Sequence, residues 1–290
     1  MIIAATIGLG LLIGLSLGAL GGGGSILTVP ALVYVLGEDP RQATTSSLFI
    51  VGVTALIGSL GHARSGRVRW GIGLAFGVTG VAASFLGTAA NRLVDPDVLL
   101  LAFAGLILIA AIAMLTKSGP NSSPPSATAP AAGPGRPAGA PTSTATLLAP
   151  TTSPSATGQV SIGSRVLRMA KIAAAGLLVG FLTGFFGVGG GFVIVPALTL
   201  ALGLSMPSAI ATSLLVIAIN SGGSLLARAG TADFDWAVIA PFTCAAIAGS
   251  FAGKKVADRL SANTLTRAFA ALCIAVAIYV ATSSLMALLG

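Results

Sequence analysis

From Met1 to Gly37 the chain carries no charged side chain, and none occurs between Arg69 and Arg92. Such runs constrain the fold more than any motif. A helix of roughly 18 uncharged, mostly apolar residues matches the hydrocarbon thickness of a bilayer. Inside lipid every backbone N–H and C=O must be bonded internally, so helices are expected. Only 8% of the 290 residues are charged, against 55% hydrophobic, whereas a soluble domain carries about 25% charged. An all-α integral membrane protein follows. The formal charge of +8 does not argue for a nucleic-acid partner, because the basic residues sit mostly in short loops between apolar runs, the pattern that encodes topology.

Two apolar regions are broken by glycine. "LGALGGGGSILTVPAL" spans Leu17–Leu32 and "LTGFFGVGGGFVIVPAL" spans Leu182–Leu198. Glycine weakens a helix interior by about 1 kcal/mol relative to alanine, so each break marks a turn. The two are copies. Adding 166 to a first-half number carries Gly14, Gly18, Gly21, Gly23 and Gly24 onto Gly180, Gly184, Gly187, Gly189 and Gly190. The same offset carries Val29–Leu32 onto Val195–Leu198, Ser47-Leu48 onto Ser213-Leu214, and Trp70 onto Trp236. An internal duplication of this kind is the usual build of a secondary transporter. Three regions result: a first transmembrane repeat, 1–117; a Pro-, Ala-, Ser- and Thr-rich linker, 118–164, expected to be a disordered spacer; and a second repeat, 165–290.

Lys and Arg mark the cytoplasmic side. The loop holding Arg64, Arg67 and Arg69 goes inside, as do the linker and the loop holding Lys254, Lys255 and Arg259. The loops with Asp95 and Asp97 and with Asp233 and Asp235 go outside, together with both termini. No basic cluster precedes the first apolar run, so it is expected to stay in the mature fold. The loop before Trp70 is inside while its copy before Trp236 is outside. The repeats are therefore expected to be inverted. Each begins with a hairpin, Met1–Leu36 or Arg168–Leu202, followed by three spans. Ile26–Leu36 amounts to about 17 Å of helix, too short to cross. The hairpins are read as entering the membrane, turning at the glycines and returning, with a tilted pair of ordinary helices as the alternative.

Irregular backbone is tolerated at membrane depth only when buried in protein or lining a cavity. Gly-rich turns bring bare N–H groups close to a ligand. The short helices expected to begin at Ile26 and Phe192 would add partial positive charge at their N-termini. This arrangement suits a small anion. The candidate anion-binding residues are Gly22, Gly23, Gly24, Ser25, Thr45, Ser46, Ser47, Gly189, Gly190, Gly191, Thr212, Ser213 and Asn220. The hydroxyls serve equally as helix caps or packing groups, and Asn220 as a packing hydrogen bond. All seven carboxylates fall in loops or at span ends, where a cation carrier would place acids centrally. Arg41 and His62 are read as loop residues, Pro30 and Pro196 as structural residues near the starts of the short helices. Cys244 and Cys273 are read as packing residues without metal-ligand spacing. No cofactor or metal is expected. "GGGGS" lacks a following lysine and a βαβ context, so it is not a phosphate loop. No Ser-His-Asp set or metal cluster supports an enzyme.

The paired motifs "GGGGSILTVPAL" and "GVGGGFVIVPAL", followed by "TTSSL" or "ATSL" and a span opening on tryptophan, resemble the TauE/SafE sulfite exporter family of membrane permeases. The resemblance covers both halves and leaves out the linker. It implies transport, commonly export, of a sulfur-containing anion such as sulfite, thiosulfate or an organosulfonate like sulfoacetate, across a bacterial-type inner membrane. The partners expected are that substrate and the lipid bilayer, with a homo-oligomer compatible. An anion channel without alternating access is the alternative function.

Overall fold

The structure is a computed structural model that describes residues 2–91, 93–94, 96–117, 162–186, 191–227 and 234–289. Residues 118–161 of the expected linker lie outside them. The described residues form helices joined by short turns, with no strand. The first hairpin is α1 (Ile2–Leu20) and α2 (Gly23–Pro30), the latter continued by a π turn (Ala31–Val35). Then come α3 (Pro40–Ala63), α4 (Trp70–Asn91) and α5 (Pro96–Lys117). The second half repeats the order: α6 (Ile162–Phe186), α7 (Gly191–Pro196), a π turn (Ala197–Ala201), α8 (Met206–Ala227), α9 (Trp236–Arg259) and α10 (Ala262–Leu289). Helices α3, α4, α6, α8, α9 and α10 are long and apolar enough to cross a bilayer.

The short helices begin at Gly23 and Gly191, not at Ile26 and Phe192. Packing explains the earlier start. A Cβ on Gly24 would lie 2.7 Å from the Ile13 carbonyl oxygen, so close approach to α1 holds glycine in the helix despite its poor propensity. Pro30 and Pro196 accordingly close the short helices, and each is followed by a five-residue π turn. Proline has no N–H to give to the fourth residue back, and the chain widens: the Leu36 N–H donates to the Ala31 carbonyl, five residues earlier. Gly21 makes the turn between α1 and α2 in the left-handed region, φ +72.

Close glycine contacts lock the halves together. A Cβ on Gly14 would stand 2.0 Å from the Ala246 carbonyl oxygen, and one on Gly18 2.1 Å from that of Ser250, so α1 lies backbone to backbone along α9. At the positions 166 further on, Gly180 meets Gly80 at 2.2 Å and Gly184 meets Ser84 at 2.1 Å, so α6 lies along α4 in the same manner. Residue numbers rise together in both pairs, and the helices of each pair run parallel. Helices α3 and α8 run antiparallel: Gly52 packs on Ser221 and Gly58 on Leu214. Burial of Phe76, Phe192, Leu198 and Phe269 centres the main apolar core between the halves. Cys273 is buried there, whereas Cys244 is exposed on α9, which corrects its reading as a packing residue.

Candidate substrate cavity

The hairpins meet at their tips. A Cβ on Gly22 would lie 1.6 Å from the Gly191 carbonyl oxygen, and one on Gly191 2.4 Å from Ser25 Oγ. Ser25 and Gly191 are the same position in the two repeats, so equivalent residues touch. Beside this contact opens a cavity of about 780 Å³. Its polar wall carries Thr44 and Ser47 of α3, Ser84 and Thr88 of α4, Thr183 of α6, and Asn220, Ser221 and Ser224 of α8. Its apolar wall carries Ile26, Val29 and Pro30 of α2, Phe103 of α5, and Leu272, Val276 and Tyr279 of α10. Phe103 is braced edge-on against Phe192, with ring centroids 5.1 Å apart. No charged side chain is among the described residues that line it.

The hydroxyls rest on their own helices. Ser25 Oγ donates to the Gly22 carbonyl at 2.7 Å, Ser47 Oγ to Thr44 at 2.8 Å, Ser84 Oγ to Val81 at 2.8 Å and Thr183 Oγ1 to Val179 at 2.7 Å. Such local bonds are weak competitors. Turning a hydroxyl toward an anion exchanges a neutral bond for a charge-assisted one, roughly twice as strong. Asn220 differs. Its Oδ1 is buried and has no hydrogen-bond partner, an arrangement that costs about 1–3 kcal/mol.

Of the residues predicted from sequence, Ser25, Ser47 and Asn220 are on the cavity wall. Gly22, Gly23 and Gly24 are buried at the hairpin tip and along α2, off the wall, as is Gly191 at the start of α7. Gly189 and Gly190 lie outside the described residues. Thr45 and Ser46 are buried and turned away from the wall. Thr212 and Ser213 are fully buried. The Arg69 N–H donates to Thr212 Oγ1 at 3.2 Å, and a Cβ on Gly21 would come 2.5 Å from Ser213 Oγ. So Ser47 of α3 lines the open cavity while its copy in α8, Ser213, is packed shut, and Ser46 and its copy Thr212 are buried alike. The lining residues belong to the first half of α3, the last halves of α4 and α8 and the middle of α10, so the cavity is displaced from the bundle centre toward one end. At the other end the side chains of Arg67 and Asp258 form an ion pair, with Lys254 Nζ 3.7 Å from the same carboxylate. His62, expected in a loop, is 2% exposed in the last turn of α3. Sequence reading passed over Thr183, Ser84, Thr88, Ser221 and Ser224, which are single hydroxyls inside spans. Their only signal was a polar atom in an apolar helix.

A sequence profile described as Sulfite exporter TauE/SafE matches residues 6–280. The chain belongs to the TauE/SafE sulfite exporter family. A probable membrane transporter protein of Xylella fastidiosa strain 9a5c is 35% identical over 279 residues, covering 95% of this chain and 93% of that protein. Its counterpart in strain Temecula1 is 36% identical over 282 residues, again 95% and 93%. A probable membrane transporter protein of Methanocaldococcus jannaschii is 25% identical over 223 residues, 75% of this chain and 68% of the other. No solved structure matches the chain. The profile runs through both hairpins and every cavity helix, so the cavity belongs to the part of the chain that TauE/SafE proteins share.

Proposed function

We propose that the chain is a multi-pass permease of the cytoplasmic membrane that exports a small sulfur-containing anion: sulfite, thiosulfate or an organosulfonate such as sulfoacetate. The observation that carries the reading is the cavity, rich in hydroxyls, lined by the Asn220 amide and by no described charged side chain. It offers donors without an ion pair, so an anion is held and then let go. Its apolar wall favours an organosulfonate, whose carbon chain would rest on Leu272 and Val276. The partners are the anion and the lipid bilayer, with no nucleic acid, and a homo-oligomer is compatible. The assay is flux in proteoliposomes loaded in turn with sulfite, thiosulfate, sulfoacetate and chloride. Saturable flux of one sulfur anion with chloride excluded is expected; no sulfur-anion flux overturns the reading, and unsaturating chloride flux favours a channel.

The repeats are proposed to be inverted, with the linker inside and both termini outside. Three observations support this: glycine contacts that recur at an offset of 166, the antiparallel course of α3 and α8, and the alternation of basic loops. An axis along the membrane normal would leave α3 and α8 parallel. A pair of equivalent serines, Ser47 on the cavity and Ser213 sealed, suits alternating access around a central site. In a chain stripped of Cys244 and Cys273, single cysteines at Ser65 and Thr231 should react with an impermeant thiol reagent from opposite sides. Reaction of both from one side would refute the inversion.

A further inference from the structure

We infer that Glu38 is a proton-binding site of this carrier, coupling proton movement to movement of the anion; the inference rests on the carrier reading above. Glu38 sits in the connection between the first π turn and α3. Both carboxylate oxygens are buried and have no hydrogen-bond partner. An ionised carboxylate so placed has lost water without gaining a partner, a cost that protonation relieves. Ser46 Oγ, on α3, stands beside it and is likewise buried without a partner.

The fold does not need an acid here. The repeat offset puts Leu204 at the equivalent place, and the backbone is the same at both. The Glu38 N–H donates to the Leu32 carbonyl at 3.0 Å, and the Leu204 N–H to the Leu198 carbonyl at 3.0 Å. Gly37 and Gly203, one residue earlier in each, share the left-handed conformation, φ +73 and +66. The carboxyl is therefore an addition to a connection that folds equally well around leucine.

Its position gives it leverage. It is wedged where the hairpin joins α3. Val29 and Pro30 on one side of that joint and Thr44 and Ser47 on the other line the cavity. The charge state of Glu38 sets how closely the two walls pack. Burial pushes its carboxyl above the ordinary carboxylate range, the nearby Ser46 hydroxyl pulls against that, and the charge of Asp235 adds to it. Among the described side chains Asp235, just before α9, is the charged group that acts on it, and Asp39 is its chain neighbour; the side chain of Arg41, in the first turn of α3, lies outside the described ones. The cluster of Arg67, Lys254, Asp258 and His62 lies at the far end of α3.

One proton moving with the anion would turn a pH gradient of one unit into about tenfold accumulation. The test is accumulation of sulfoacetate, or whichever sulfur anion moves, in proteoliposomes with the membrane potential clamped and a pH gradient imposed. The wild type should concentrate the probe about tenfold, and E38Q and Glu38→Leu about onefold. Retention of the wild-type response in both variants, or saturable wild-type flux that ignores the gradient, overturns the inference. Infrared difference titration separates this outcome from failure of the carrier reading, since it needs no substrate. A carboxyl carbonyl band that titrates above about pH 4.3, the ordinary glutamate value, should appear in the wild type and be missing from E38Q. If no such band distinguishes them, the proton site is refuted whatever the protein transports.

Discussion

Gly22→Ala is expected to cut transport at least about tenfold and to lower the thermal stability of the purified protein, while Gly23→Ala stays within about twofold of wild type. The two glycines are neighbours in one run, and sequence gives no reason to rank them. The packing does. A Cβ on Gly22 would fall 1.6 Å from the carbonyl oxygen of Gly191 and 2.0 Å from its carbonyl carbon. Both atoms are backbone, so no rotamer change relieves the overlap. Overpacking typically costs 1–3 kcal/mol where side chains can shift, and here the hairpin tips themselves must part. A Cβ on Gly23 would meet Leu272 Cδ2 at 2.7 Å, the movable end of a side chain. Flux in proteoliposomes and thermal unfolding in detergent check both variants. Wild-type flux from Gly22→Ala would show that transport does not depend on the contact between hairpins.

Asn220→Leu should separate stability from activity. Asn220 borders open cavity space, and the substitution keeps the branched four-atom outline of the side chain, with methyl groups somewhat bulkier than the amide. It removes a buried oxygen that makes no hydrogen bond, so the unfolding temperature is expected to hold or rise. A hydrogen bond to a charged group is worth about 1.5–3 kcal/mol, so an anion held by the amide should bind about 10–100-fold more weakly. The expected result is a raised KM for sulfur-anion flux in a protein at least as stable as wild type. Unchanged KM would remove Asn220 from the site, and a large loss of stability would return it to a packing role.

Sequence legibility followed the physics of each feature. The limits of α4, Trp70–Asn91, coincide with the uncharged run between Arg69 and Arg92, so the charges at either end made them readable. The hairpins were readable because glycine runs have few uses inside a membrane. The stripe of Gly14 and Gly18 was not readable as a contact with α9, since nothing local names the partner of a small residue. The start of α2 was misjudged because close packing of Gly24 on α1 overrides intrinsic propensity. The cavity was legible in part. Ser25, Ser47 and Asn220 stood out by motif or by cost, whereas Ser84, Thr88 and Thr183, single hydroxyls inside apolar spans, were passed over. The sharpest limit is conformational. Ser47 and Ser213 occupy equivalent places in sequence, and no repeat can say which of them faces the cavity in a given state.

The crossed packing of α1 on α9 and α6 on α4 has a consequence for biogenesis. Helix α1 is among the first segments delivered to the membrane, yet the backbone it fits is more than two hundred residues downstream. At about 5–20 residues per second of synthesis, its glycine furrow waits roughly 10–40 s for a partner. Lipid tails fill such a furrow poorly, and other nascent helices could seat there. The chain that tethers the halves raises the local concentration of the correct partner. Maturation of this protein is thus a late, post-insertion closure in which two incomplete bundles clasp, and membrane quality control has its longest opportunity in that interval.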